Sequence, residues 1–362
     1  MKKLISISLF VLALSAITLS DACSPKNMSD IIVREAFNIR INGNCDKAKM
    51  ILEDVLKKDS TNAMAYYEMA RLQHYLLLGR GDVKVVDILS SINKAVESEP
   101  DNVIYAYYQA MATFFDAFMA MQMGNDQVKD KVTATCAKFE RVLELKPDYH
   151  EASLYLIELY GLLPRDMGGD SLKAAKLAEK LAESDKYFGA KAKAVLLPES
   201  ADHLAFWENL LAADPTNTGY LVEAGKACLF QDNPAKAEDF FNKAMATDPS
   251  RNIHLLDLAR YHLYKVMRNG ELGPTELPIA KTYLEKYLNS TPEPIIPLKA
   301  YTIGWQARVE MFLGNQAVSE KLMEEAKKLD PYFSGASGIP SLLLFDPPDQ
   351  ISHHYFSFFS PY

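Results

Sequence analysis

Seven histidines, four cysteines and one Gly-Gly-Asp step are the residues of this 362-residue chain whose types and spacing invite a chemical reading. The histidines are His74, His150, His203, His254, His262, His353 and His354, and none belongs to a His-Glu-x-x-His pair, the helical spacing that puts two imidazoles on one zinc ion. His254 and His262 stand two helical turns apart, too far to share a metal without a third ligand. The cysteines Cys23, Cys45, Cys136 and Cys228 contain no Cys-x-x-Cys and no zinc pattern. None has a histidine on the same helix face to raise a nucleophile, and Cys45, Cys136 and Cys228 are expected to be separate, buried thiols. No Gly-x-Ser-x-Gly elbow occurs. The glycine step lies in LLPRDMGGDSLKAAKLAEKL, residues 162–181, which lacks the Gly-x-x-x-x-Gly-Lys of a phosphate loop. It reads instead as a bend: Pro164 stops one helix, Gly168 and Gly169 permit the turn, and Asp170 or Ser171 caps the next. The sequence therefore predicts no catalytic residue, no metal and no cofactor, and a protein that is not an enzyme.

The elements around these residues belong to a folded, exported chain. Hydrophobic residues make up 49% and charged residues 24%, enough apolar side chain for a large core. Net charge is −8, with no long Lys/Arg block, which argues against nucleic acid because phosphate neutralisation needs a basic stripe. Residues 1–22 read as a secretory signal, with Lys2 and Lys3 ahead of an apolar run and small residues Ser20 and Ala22 at its end. Two processing routes remain open: cleavage after Ala22, or lipidation of Cys23 in the manner of a bacterial lipoprotein. The expected location is the periplasm or the outer membrane, with a lipid on Cys23 as the only route of membrane attachment. The apolar stretch 103–123 is long enough to span a bilayer, but Gln109, Thr113, Asp116 and Gln122 interrupt it, and it is expected to be a lengthened helix inside the body.

Internal repetition is the strongest signal. NGNCDKAKMILEDVLKKDSTN (42–62), QDNPAKAEDFFNKAMATDPSR (231–251) and LGNQAVSEKLMEEAKKLDPYF (313–333) each run from a Gly/Asn/Asp turn through a helix to a closing Asp-Pro or Asp-Ser. At these points the chain resembles the tetratricopeptide repeat family, whose unit is a helix–turn–helix of 34 residues. Unit 218–251 carries Leu221, Gly225, Ala237, Phe241, Ala244 and Pro249 at consensus positions 4, 8, 20, 24, 27 and 32. The last unit repeats this with Ala307, Met323, Ala326 and Pro331, and the first keeps Ala48 but has Ser60 for the proline. Small residues let paired helices approach, and large ones fill the space between pairs. The resemblance implies an all-α, right-handed solenoid of six to eight stacked helix-turn-helix repeats over residues 29–333, after a linker at 23–28. No run between residues 29 and 333 alternates like a strand. In its wording the 162–170 loop is also similar to the lipoprotein component that accompanies some TRAP-type transporters.

The family resemblance further implies a concave groove lined by positions 2, 5, 6, 9, 12 and 13 of each first helix. Carried across, these give Tyr67, Arg71, His74 and Tyr75; Tyr107, Tyr108, Phe114 and Phe115; Tyr155 and Glu158; Arg260 and Tyr264; and Trp305, Arg308 and Phe312. Aromatic residues with arginine are the usual anchors of protein interfaces, although such aromatics also serve as packing between helices. The expected function is a non-enzymatic scaffold of the bacterial cell envelope that holds a segment of another protein in this groove. The alternative is a small-ligand or glycan-binding accessory component of an envelope transport system, with aromatic rings stacking on sugars. A helical-toroid hydrolase is disfavoured by the repeat period and the missing acid pair. Residues 334–362 leave the repeat, carry Tyr355, Phe356, Phe358, Phe359 and Tyr362, and are expected to pack on the solenoid as an irregular tail.

Overall fold

The computed structural model describes residues 25–80, 82–198 and 200–333. The predicted leader 1–22, the lipidation candidate Cys23 and the predicted tail 334–362 lie outside the described residues. Among the described residues the chain forms sixteen α-helices and no strand. They are α1 (Pro25–Ile41), α2 (Cys45–Lys58), α3 (Ala63–Arg80), α4 (Val85–Ser98), α5 (Val103–Gln122), α6 (Val128–Leu145), α7 (His150–Leu162) and α8 (Ser171–Ser184). The second half continues with α9 (Lys186–Val195), α10 (His203–Ala213), α11 (Thr218–Phe230), α12 (Pro234–Thr247), α13 (His254–Arg268), α14 (Gly273–Leu288), α15 (Ile296–Phe312) and α16 (Gln316–Leu329). Consecutive helices pair as hairpins, and the hairpins stack in chain order. The fold is an all-α repeat of stacked helical hairpins, as the spacing of the sequence units predicts.

Local chemistry sets each hairpin. Short polar caps open the helices: Asn44 accepts from the Lys47 amide, Asp170 from Lys173, Asn217 from Tyr220 and Asn233 from Lys236, which follows Pro234 in the first turn. The 162–171 stretch is a bend, as expected: a single 3₁₀ turn at Arg165–Met167, then Gly168 at φ 104°, then the Asp170 cap. Inside the hairpins the consensus positions carry the packing, with Leu221, Gly225, Ala237, Phe241 and Ala244 all buried. A methyl group on Gly225 would come within 2.4 Å of the Phe241 ring, so the absence of a side chain there lets α11 and α12 close on each other. The hairpin of α9 and α10 is the loosest; Ala190, Ala194, Leu204 and Trp207 share one apolar core, while α9 also leans back on α7 and α8. The apolar 103–123 stretch is α5, packed against α6 and α4, and no helix among the described residues is long and apolar enough to cross a membrane.

First and second helices differ in surroundings. α5, α7, α11 and α15 are buried on most sides, whereas α2, α8, α12 and α16 bury one stripe and leave the rest to water. First helices also touch one another, α1 on α3, α7 on α9 and α11 on α13. They therefore form an inner wall and the second helices an outer one. The two ends of the row meet. The Tyr75 hydroxyl of α3 donates to Asp330, the Tyr332 hydroxyl donates to Asp46 of α2, and Tyr332 lies buried in the core that α1, α2 and α3 share. The α1–α2 turn at Gly43, φ 82°, sits on the last hairpin, where a Cβ would fall 2.7 Å from the Leu329 carbonyl oxygen. An open solenoid is what the repeats alone predict; the residues after α16 instead close the row on itself.

Candidate functional site

The predicted groove residues do lie on first helices, and the structure divides them into two sets. On α3, α5 and α7 the aromatics pack across the joints between hairpins. Tyr67 meets Tyr108 edge-on at 5.4 Å, His74 meets Phe115 at 4.9 Å, and Phe114 meets Tyr155 at 5.4 Å. Tyr107 stacks on Tyr149 at the head of α7, at 4.6 Å. Tyr75 belongs to the closure between first and last hairpins. These rings are buried and hold the inner wall together. At the far end, Tyr264 and Phe312 sit near the C-termini of α13 and α15 and are exposed, 37% and 59%.

The second set is charged and runs along the wall. Repeat positions 6 and 9 are three residues apart, nearly one helical turn, so their side chains share a face. At these positions Glu68 holds Arg71 at 3.0 Å, Glu223 holds Lys226 at 3.3 Å, and Asp257 holds Arg260 at 3.8 Å. In α15 the same two positions are Trp305 and Arg308, with the guanidinium 5.2 Å from the ring centroid. Lys191 of α9 reaches Glu223 at 3.6 Å, and the Tyr187 hydroxyl donates to Glu223 at 3.1 Å. In α7 the pair reads Tyr155 and Glu158. The wall from α7 to α13 thus alternates in charge, and Lys191, Lys226, Arg260 and Arg308 are half-buried rather than sealed.

These surroundings set the protonation states. Burial alone would raise Glu223, but Lys226, Lys191 and the Tyr187 hydroxyl outweigh it and hold the carboxyl at about 2. Asp257 is likewise lowered, its burial overcome by the His254 hydrogen bond and Arg260. Glu158 goes the other way: burial dominates, Lys191 relieves it only in part, Glu223 adds to it, and the carboxyl rises to about 7. Near the closure, Glu68 bridges Arg40 at 2.5 Å and Arg71 at 3.0 Å, and Arg71 lies over Phe37 and Tyr67. All three charged groups are buried, so Arg71 is a structural member of an Arg-Glu-Arg cluster.

Three histidines are bonded inside the fold: His254 to Asp257 at 2.7 Å, His262 to Glu276 at 2.5 Å, and His74 to the Tyr108 hydroxyl at 3.3 Å. Burial pushes His74 down to about 3, so it stays neutral. Cys45, Cys136 and Cys228 are free, buried thiols, as the sequence predicts. No group of His, Cys, Asp and Glu among the described residues is arranged to hold a metal. Sequence reasoning missed Glu68, Lys191, Glu223, Lys226 and Asp257. The signal that finds three of them, and Lys226 with them, is an acid three residues ahead of a cation at position 9 of a first helix; Lys191 leaves no such trace.

No protein-family model matches the sequence, and no curated protein matches it. Among solved structures the chain is similar to a tetratricopeptide repeat protein from Parabacteroides merdae, with 13% identity over 82% of this chain and 98% of that one and a TM-score of 0.40. It is also similar to MamA, with 18% identity over 60% of this chain and 95% of that one and a TM-score of 0.32. Yeast Tom70 shows 14% identity over 86% of this chain and 78% of its own, with a TM-score of 0.34.

Proposed function

We propose that this closed tetratricopeptide-type repeat is a protein-binding scaffold of the cell envelope with no catalytic role, and that it holds a segment of another protein against the charged inner wall between α7 and α15. The observation that carries the reading is the chain of ion pairs that runs from Lys191 to Glu223–Lys226 and on to Asp257–Arg260, the last two pairs at positions 6 and 9 of consecutive first helices. Half-buried ion pairs contribute little net stability, because desolvation offsets their attraction. What they do supply is a fixed pattern of charge, which sets the register and orientation of a partner. The Trp305–Arg308 stack at the end of the row has the composition of an interface anchor. An envelope address follows from the leader at 1–22, and Cys23 is where a lipid would attach.

The test uses Arg260 and Arg308, which stand on the row and are half-buried, rather than the sealed Arg71. The chain and its Arg260→Ala/Arg308→Ala variant are recovered from envelope membranes, and co-purifying proteins are identified by mass spectrometry. The variant is expected to lose a specific partner by roughly tenfold or more, the scale of losing interface anchors, with its helical circular dichroism unchanged. Identical recovery by both chains would remove the inner wall from consideration. The same spectra read the mature amino terminus and decide between cleavage at Ala22 and lipidation of Cys23.

A further inference from the structure

Glu158 breaks the pattern of the inner wall. It occupies position 9 of α7, where the corresponding residues of α3, α11, α13 and α15 are the cations Arg71, Lys226, Arg260 and Arg308. It is 7% exposed, and its carboxyl oxygens make no hydrogen bond or ion pair among the described residues. The charges that act on it are Lys191 of α9 and Glu223 of α11, and Lys191 is already engaged with Glu223 at 3.6 Å. Tyr107 of α5 is within electrostatic reach, and its buried hydroxyl has no hydrogen-bond partner. Tyr155, one turn back on α7, is likewise within electrostatic reach of Glu158 and stacks on Phe139 at 5.0 Å.

Followed from α13 toward α7, the wall places Arg260, Asp257, Lys226, Glu223, Lys191 and Glu158 in alternation, and then stops at aromatic rings. The next term is a missing cation. A buried carboxylate without a counter-ion is costly, whereas one that meets a desolvated ammonium or guanidinium recovers most of that cost. Aromatic faces add to the attraction for a cation. An anion in the same place would confront Glu158 and Glu223 together. We propose that Glu158 is the anchor for a protonated amine or guanidinium presented by the bound polypeptide, a lysine or arginine side chain. This rests on the scaffold reading and specifies the chemistry of the segment held.

The probe is the carboxyl group itself in the full chain. Glutamate side chains are labelled with carbon-13, the Glu158 resonance is assigned by its loss in Glu158→Gln, and its titration is followed by NMR. N-acetyl-lysine amide at saturation is expected to lower the Glu158 midpoint by about one pH unit, a tenfold preference of the cation for the ionised form. N-acetyl-norleucine amide, the uncharged counterpart, is expected to leave it in place. A shift with norleucine equal to that with lysine would overturn the cation site, as would no shift with either. Putrescine shifting the midpoint while the lysine amide does not would overturn a polypeptide source. The capture experiment with Arg260 and Arg308 does not involve Glu158, so scaffold and anchor fail separately.

Discussion

Glu158 and Glu223 are the same side chain on one wall, and their neighbours drive them to opposite states. Two lysines and a tyrosine hydroxyl hold Glu223 ionised at about 2, while burial without a counter-ion raises Glu158 to about 7. The second shift has a sign in stability. A carboxyl whose folded value lies above its unfolded value binds its proton more tightly in the folded state, so stability falls as pH rises from about 4.3 through about 7 and stays low above. Glu158→Gln removes the penalty. The variant is expected to melt higher than the parent at pH 8, by up to the order of 3 kcal/mol, and to match it near pH 4; equal differences at both pH values would show that Glu158 is ionised without cost. Glu68 gives the opposite case. Glu68→Ala leaves Arg40 and Arg71 facing each other in the core, and a loss of about 3–5 kcal/mol in urea unfolding is expected. The sequence placed Glu158 and Arg71 on the wall by their repeat positions. It could not show that one carboxylate would lack a cation, because Lys191 comes from the least regular hairpin and its engagement with Glu223 is a three-dimensional fact.

At the scale of the helical hairpin, most of the structure was legible. Small residues that recur at positions 8, 20 and 27 of the units imply a close-fitting neighbour, and in the fold Ala237 and Ala244 are sealed while Gly225 faces Phe241. Gly225→Ala is therefore expected to destabilise by about 1–3 kcal/mol through overpacking, and Phe241→Leu in the same chain to recover part of it. Were the single substitution neutral in thermal melts, the α11–α12 approach would not depend on that glycine. The 162–171 bend was equally readable, since Pro164, Gly168 and Asp170 each have one local role. Less readable were edges and irregular units. The first helix begins at Pro25, before residue 29, and α9 leans on the preceding hairpin because alanines at 190, 192 and 194 leave it little bulk with which to hold α10.

The closure belongs to the whole molecule and had no local signature. It depends on residues more than two hundred positions apart, Tyr75 with Asp330 and Asp46 with Tyr332, and on the Gly43 turn lying flush against the end of α16. A repeat pattern reports how each hairpin meets the next; it says nothing of whether the accumulated curvature brings the last to the first. Cys45 records the state of this joint. It is fully buried beside it, and burial together with the Asp330 charge raises its thiol to about 12, so it should be inert to maleimide at neutral pH. Tyr332→Ala removes a buried ring from the core of α1, α2 and α3 along with the bond to Asp46. Opening of the joint is then expected to raise the labelling rate of Cys45 at least about tenfold, a shift in the local opening equilibrium of some 1.4 kcal/mol or more. Cys136 and Cys228, buried in hairpins away from the joint, serve as the internal reference. If all three thiols accelerate together, Tyr332 stabilises the fold as a whole; if Cys45 alone responds, the ring opens at this joint while the hairpins stay folded, and the proposed partner segment would have a defined way onto the inner wall.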